Sequence, residues 1–242
     1  MQNIKQAADI IKNAHNAVAF TGAGISVESG IPPFTGKGGL WTQYDPKFIE
    51  IDFFYAHPKE SWQEMKKIFF SSMGEAKPNK AHLVLAQLEK KGFLKGVITQ
   101  NIDGLHQAAG SKNVQEFHGT IHTLSCPSCL RKYKLEDVDL STVPPLCFCG
   151  HVLKPDFVFY GEGIPPKAYE NSMHMAQTAD AVIIVGTAGQ VMPACSLPLY
   201  AKQNGAKIIE VNTLPSSFTD SITDLYFPVK ATEFFAELEK EF

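Results

Sequence analysis

Residues 17–36 read AVAFTGAGISVESGIPPFTG: an all-apolar run from Ala17 to Phe20 that passes straight into a loop crowded with glycine and proline. An apolar run this short, bounded by breakers, has the length of a buried strand rather than of a helix. Three more runs stop in the same way. GVIT (96–99) leads into QNID, AVIIVG (181–186) into TAGQ, and KIIEV (207–211) into Asn212. Between them lie helical patterns, NKAHLVLAQLEKKG (79–92) with Gly92 as its C-cap and MPACSLPLYAKQNGA (192–206). Strands alternating with helices predict an α/β fold with a Rossmann-like, doubly wound parallel sheet. In such sheets a ligand sits beyond the carboxyl ends of the strands, where all four polar stretches gather.

Two segments break the rhythm. Residues 33–76 are aromatic and proline-rich before a helical pattern, and residues 122–153 hold four of the five cysteines. Both read as insertions that form a second, smaller domain, one part helical and one part zinc-binding. The Rossmann-like domain then comprises 1–32, 77–121 and 154–242. At the N-terminus Ile4, Ala7, Ala8, Ile11 and Ala14 fall at helical spacing, an amphipathic helix packed on the body.

Composition narrows the function classes. With 242 residues, 44% apolar and 19% charged, the chain is long enough for a sizeable core, and its net charge of −3 leaves no footprint for direct nucleic-acid binding or for an acidic membrane. No run approaches the roughly 18 apolar residues of a membrane span, and residues 1–14 lack the layout of a signal peptide, so a cytoplasmic protein is expected.

The glycine loop alone is a weak signal. Gly22 and Gly24 follow a strand, but Val27 stands where the dinucleotide fingerprint has its third glycine, and no acid-ended strand follows at the usual distance. Backbone N–H groups without a Cβ can nonetheless approach a pyrophosphate closely. A second glycine loop from Gly186 to Gly189 and a third strand end at Asn212 would spread donors along one crevice, as a dinucleotide needs.

The cysteines are a stronger signal. Cys126 and Cys129 form a C-x-x-C knuckle, and Cys147 and Cys149 follow at a separation that suits a four-thiolate zinc site. The second pair is C-x-C, so His151 stands by as a substitute ligand. Four protein ligands leave no open position, which makes the zinc structural. Cys195, in a helical pattern, reads as a small core residue.

TQNIDGLH (99–106) puts Gln100, Asn101 and Asp103 at a strand end, and QEFHG (115–119) puts His118 before Gly119. An Asn-x-Asp pair and a histidine in one crevice could hold a polar ring, orient a water and take a proton. GAGIS, GIPPF, TQNID, HG, the two cysteine pairs, KPDFVFYGE, GTAG and EVN occur in the order and approximate spacing of the sirtuins, which the chain resembles over nearly its whole length.

The resemblance implies an NAD-dependent protein-lysine deacetylase or deacylase. In that family the acyl-lysine carbonyl oxygen attacks the nicotinamide ribose, nicotinamide leaves, and an imidate resolves to O-acyl-ADP-ribose and free lysine. By motif, His118 is the general base on the ribose hydroxyls, Asn101 and Asp103 hold the nicotinamide pocket and its water, and Gln100 meets the ribose. Ala23, Ile102 and Phe34 line and cover the nicotinamide end. Gly22, Gly24, Ile25, Glu28, Gly186, Thr187, Ala188, Asn212 and Thr213 complete the NAD site. Val158, Phe159, Tyr160, Gly161 and Glu162 form the edge on which an acyl-lysine peptide adds as a strand.

The match has gaps. After GIP the family usually shows a polar residue and then Phe-Arg, whereas Pro33 and Thr35 stand here; Ala188 replaces a common serine, and Leu214 a common acid. No Tyr-x-x-Arg lies near 55–70 to pair an acidic acyl group, so a tunnel walled by Phe34, Phe48 and Val158 suits acetyl or longer neutral chains. Other readings of the same motifs are NAD-dependent ADP-ribosyl transfer, NAD hydrolysis, or an NAD- and acyl-lysine-binding protein with weak turnover.

Overall fold

A computed structural model describes residues 3–36, 38–70 and 76–242. The four apolar runs form β1 (Ala17–Thr21), β2 (Gly96–Thr99), β7 (Ala181–Val185) and β8 (Lys207–Val211). Two short strands extend the sheet at its edges: β3 (Val114–Glu116), in the short extended run ahead of His118, and β9 (Leu225–Phe227), which the apolar pattern does not show. All pair in parallel in the order β3-β2-β1-β7-β8-β9. The chain thus winds outward from β1 through β2 to β3, returns to the other side of β1, and winds outward again. The reversal lies between β1 and β7, where a doubly wound sheet opens a crevice.

Every residue of β1, β2 and β7 is buried, because helices cover both faces and leave no polar side to alternate with. Ala17 and Ala19 face a core filled by α1 (Ile4–Asn13), α4 (Lys80–Lys90) and α8 (Ala231–Leu238), through Ile11, Leu85 and Phe235 among others. Val18 and Phe20 face the opposite core with α6 (Pro166–Thr178) and α7 (Ser196–Gln203). Asn79 caps α4, its side chain accepting from Ala81 N, while His82 Nδ1 reaches back to Asn79 N.

A third apolar cluster lies apart from the sheet. It joins Phe48, Phe54, Trp62 and Phe69 of the first insertion to Leu124, Cys126, Phe157 and Phe159. The first insertion contains α2 (Ile51–Ala56) and α3 (Pro58–Met65), separated at Pro58, which opens the second helix at its first turn. Lys37 of its proline-rich part and residues 71–75 after its helices lie outside the described residues. The second insertion is built on an antiparallel sheet of β4 (Gly119–Ser125), β5 (Lys132–Lys134) and β6 (Lys154–Phe157) in the order β5-β4-β6. This sheet reaches past residues 122–153 on both sides, because β4 starts at Gly119 and β6 ends at Phe157.

Candidate active site

The two glycine loops meet at the reversal. Gly22 N donates to Val185 O, and Gly24 N donates to Gly186 O at 2.8 Å. A Cβ on Gly24 would stand 2.6 Å from Gly186 Cα, and one on Gly186, whose φ is +62°, would stand 2.4 Å from Ile25 N. These glycines are therefore required by the close approach of two strand ends before any ligand is considered. Gln100 Nε2 donates to Thr187 Oγ1 at 3.0 Å and Asn212 Nδ2 donates to Thr187 O at 2.9 Å. The ends of β2, β7 and β8 are thereby tied into one rim. Ala188 and Thr213 lie exposed on it.

Two side chains of the first loop that were expected at NAD are engaged within the protein. Ala23 opens the 3-10 turn Ala23–Ser29, but Ile25 is fully buried in the α1/α4/α8 core, so its side chain supports the loop from beneath. Glu28 turns toward α8, where its carboxylate accepts from Thr232 N and Oγ1 and lies 3.7 Å from Lys230. A carboxylate at the start of a helix is favoured by the free N–H groups there.

The Asn-x-Asp pair is organised by a residue that the motif reading passed over. Ser26 Oγ donates to Asp103 Oδ2 at 2.7 Å and accepts from Asn101 Nδ2 at 3.1 Å. Asn101 and Asp103 therefore lie on the same side of the sheet, under the glycine loop, and both are nearly buried. Asp103 Oδ1 accepts from Leu105 N, closing the turn that opens α5 (Leu105–Ala108). Behind Ser26 stand two buried histidines. His82 Nε2 is 3.5 Å from Ser26 Oγ, and His106 Nε2 is 2.9 Å from Thr21 Oγ1. Since His82 Nδ1 accepts from Asn79 N, the proton of its neutral ring is on Nε2 and points to Ser26. Burial lowers His82 to about 4 against the pull of Asp103, and burial pushes His106 well below the ordinary histidine range. Both are neutral at physiological pH. Ser26 was visible within the quoted loop; His82 was hidden because a histidine in a helical run carries no distinguishing pattern.

His118 stands beside the same strand end. Its Nδ1 is 3.1 Å from Gln100 O. A carbonyl only accepts, so the neutral ring keeps its proton on Nδ1 and leaves the Nε2 lone pair free. Burial lowers its pKa below 6.5, partly offset by the Gln100 carbonyl. Ile102, 8% exposed, and Phe34, packed against Trp41 and Phe69, stand in the aromatic cluster of the first insertion. Thr35, at the place of the absent arginine, is exposed.

The segment after β6 bridges the two parts of the molecule. Val158 N donates to His118 O, Tyr160 N to Ile49 O, and Ile51 N to Tyr160 O. Phe159 is buried, with its ring stacked on Phe157 at 4.8 Å. Phe159 N donates to Glu162 Oε2 and Glu162 N to Phe159 O, and Gly161 between them takes φ +89°.

At the far end of the antiparallel sheet the sulfurs of Cys126, Cys129, Cys147 and Cys149 all lie within 4.8 Å of one another. A tetrahedral zinc with bonds of about 2.3 Å needs sulfurs about 3.8 Å apart. The donor set therefore fits the ion, and the C-x-C pair reaches it without help from His151. The Cys149 N–H and the Tyr133 hydroxyl draw Cys147 down to about 6, whereas the neighbouring thiols and burial push Cys149 up to about 12, so the fit to zinc rests on the sulfur geometry. Cys195 is buried near the α7 start, and burial raises its thiol, as for a core residue.

Comparison with known proteins gives one answer. The model of the Sir2 family matches residues 22–193. The NAD-dependent protein deacetylase of Sulfolobus acidocaldarius is 43% identical, over 98% of this chain and 94% of its own. The NAD-dependent protein deacylase of Pyrococcus furiosus is 43% identical, over 98% and 96%. Among solved structures, a complex of Sir2 with a p53 peptide and NAD+ superposes with a TM-score of 0.91 at 40% identity, covering 100% of this chain and 98% of that one.

Proposed function

This chain belongs to the Sir2 family, and from that premise we propose that it is an NAD-dependent protein-lysine deacylase that releases nicotinamide and passes the acyl group of a lysine side chain to ADP-ribose. The observation that carries this reading is the convergence of the Gly22–Gly24 and Gly186–Thr187 loops, the Asn101–Ser26–Asp103 network and His118 on the strand ends around the reversal of the sheet.

NAD, as co-substrate, supplies the ribose carbon that takes the acyl oxygen as nicotinamide leaves. In this reading the Gly22–Gly24 and Gly186–Thr187 loops lie along the phosphates, their missing Cβ atoms leaving room for them, with Asn212 at the adenosine half and Gln100 at a ribose hydroxyl. Asn101 and Asp103, held by Ser26, meet the carboxamide ring, with Ala23, Ile102 and Phe34 around it. His118 Nε2 accepts a proton from a ribose hydroxyl while Gln100 holds its Nδ1–H. Val158–Glu162 receives the peptide, and the 33–76 and 122–153 insertions act as the smaller domain that closes the cleft. Among the described residues no helix is long and apolar enough to cross a membrane.

The direct test incubates the protein with NAD and acetyl-, butyryl- or succinyl-lysine peptides and follows nicotinamide and O-acyl-ADP-ribose together. The two products are expected to appear in equal amounts and only with peptide, with the neutral acyl chains turned over faster. The aromatic wall of Phe34, Trp41, Phe48 and Phe69 offers an acidic chain no cation. Nicotinamide released without peptide would point to ADP-ribosyl transfer or hydrolysis instead, and a fastest succinyl peptide would overturn the neutral tunnel.

Thr35→Arg is expected to restore a charge-assisted contact to NAD worth about 1.5 to 3 kcal/mol. The KM for NAD should then fall roughly ten- to hundredfold. An unchanged KM would remove residue 35 from the NAD site.

A further inference from the structure

Glu162 ends the segment that the reading above gives to the peptide, yet its carboxylate is directed inward. Oε2 accepts from Phe159 N at 2.8 Å and lies 2.9 Å from Lys154 Nζ. Lys154, at the start of β6, is 12% exposed, and its ammonium also donates to Pro155 O at 2.9 Å and Phe157 O at 3.1 Å. The same nitrogen sits 4.2 Å from the centre of the Phe159 ring. One ammonium thus meets the beginning, middle and end of residues 154–162. Gly161, at φ +89°, supplies the reversal that brings Glu162 back onto it.

The consequence concerns the edge a peptide would use. The N–H groups of Val158, Phe159, Tyr160 and Glu162 are all engaged within the protein. An incoming strand cannot take any of the four without displacing an internal bond, so its partners are set by how this segment is folded. Val158 hangs from the carbonyl of His118 and Tyr160 from Ile49, so these two anchors belong to different parts of the molecule. The Phe159–Glu162 turn between and beyond them is secured by Lys154. A partly buried ion pair whose partners also hydrogen-bond to main chain is far stiffer than an exposed one.

We propose that Lys154 and Glu162 are positioning residues for deacylation: they clamp the 157–162 segment in the shape that receives the acyl-lysine peptide, and touch neither NAD nor the reacting atoms. This rests on the reading that the segment receives the peptide as a strand. Burial pushes the Lys154 ammonium below the ordinary lysine range and Glu162 pulls it back, which accords with a charge retained for its partner.

The test compares Lys154→Met, Glu162→Gln, the double variant and Lys154→Arg. Each single loss is expected to raise the KM for an acetyl-lysine peptide about tenfold, with kcat and the KM for NAD within about twofold of the parent. The double variant should be no worse than either single one, because the two residues act as one clamp. Lys154→Arg, which keeps the charge, should restore the peptide KM. An unchanged peptide KM overturns the clamp. So does a parallel change in kcat, NAD KM and Tm, the signature of a role in stability alone. A peptide N-methylated on the amides flanking the acyl-lysine tests the underlying reading separately. If methylation does not weaken binding, strand addition is wrong; if it does and Lys154→Met leaves the KM unchanged, strand addition stands and the clamp falls.

Discussion

Replacing His118 by alanine is expected to lower deacylation by about 10²- to 10⁴-fold, the usual contribution of a positioned proton acceptor. NAD binding should survive. The glycine loops, Thr187 and the Ser26 network do not depend on the imidazole: Gly24 is held by Gly186 O, and Asn101 and Asp103 by Ser26. The ring is held at one end only, with Nδ1 on Gln100 O, so its loss removes a base rather than a support.

The pH profile gives an independent reading of the same group. In the proposed role of base, the active form is the neutral ring. Burial lowers the pKa of His118 below 6.5, so the ring stays neutral to a lower pH than a free imidazole would. The acid limb of kcat/KM in the parent should therefore have its midpoint below 6.5, and that limb should vanish from the residual activity of His118→Ala. A variant retaining more than about a tenth of parental turnover, or a parental midpoint above 7, would remove His118 from the role of base.

The second large effect is expected from the metal. Stripping zinc with a strong chelator, or replacing Cys126 by serine, should abolish activity and open residues 126–153 to proteolysis while the six-stranded sheet keeps its helix and strand signal. Besides the metal, the region is held along its inner side, where Leu135, Val138, Leu140, Val143 and Leu153 pack on the aromatic cluster, while the side around the cysteines is loosely built. β5 is three residues long, its residues are exposed or half-buried, and the chain between it and β6 contains one short 3-10 turn at Leu135–Asp137. Leu130, Leu146 and Phe148, beside the cysteines, are exposed rather than packed. Thiolate coordination in small zinc modules contributes about 10 to 16 kcal/mol.

The loss would reach the active site through β4 and β6. These strands run from Cys126 back to Gly119, beside His118, and to the Phe157–Phe159 stack. Elemental analysis should find one zinc per chain. A metal-free protein with full turnover and an unchanged Tm would show that the cluster is not a structural zinc site.

Much of the fold could be read without coordinates because its signals are local. Ala17–Phe20, Gly96–Thr99 and Ala181–Val185 are nearly continuous apolar runs, since helices on both faces leave no solvent side; Lys207–Val211 departs only at exposed Lys207 and buried Glu210, and each run is followed by a polar or glycine-bearing stretch. The C-x-x-C and C-x-C pairs could be read because a chelate ring fixes ligand spacing along the chain. Where structure rests on pairing between distant segments, the sequence carries no such mark. β3 and β9 are three residues each, and β4 pairs with β6 through an irregular register between Gly119 and Leu124. Nothing in their composition separates them from loop.

The same division runs through the site. Sequence by itself singled out the residues proposed to carry the chemistry: Gly22, Gly24, Asn101, Asp103, His118 and the four cysteines are chemically distinctive and stand in ordered motifs. Only the tertiary structure decided what holds them. Ser26 joins Asn101 to Asp103, neutral His82 stands behind Ser26, Gln100 ties β2 to Thr187 and fixes the His118 tautomer, and Lys154 secures the Phe159–Glu162 turn. The carboxylate of Glu28, a residue expected at NAD, is held by the start of α8. The physical reason is that a side chain's reactivity is intrinsic to its type, whereas its orientation, protonation and partners depend on burial and on atoms contributed by segments far away in the chain.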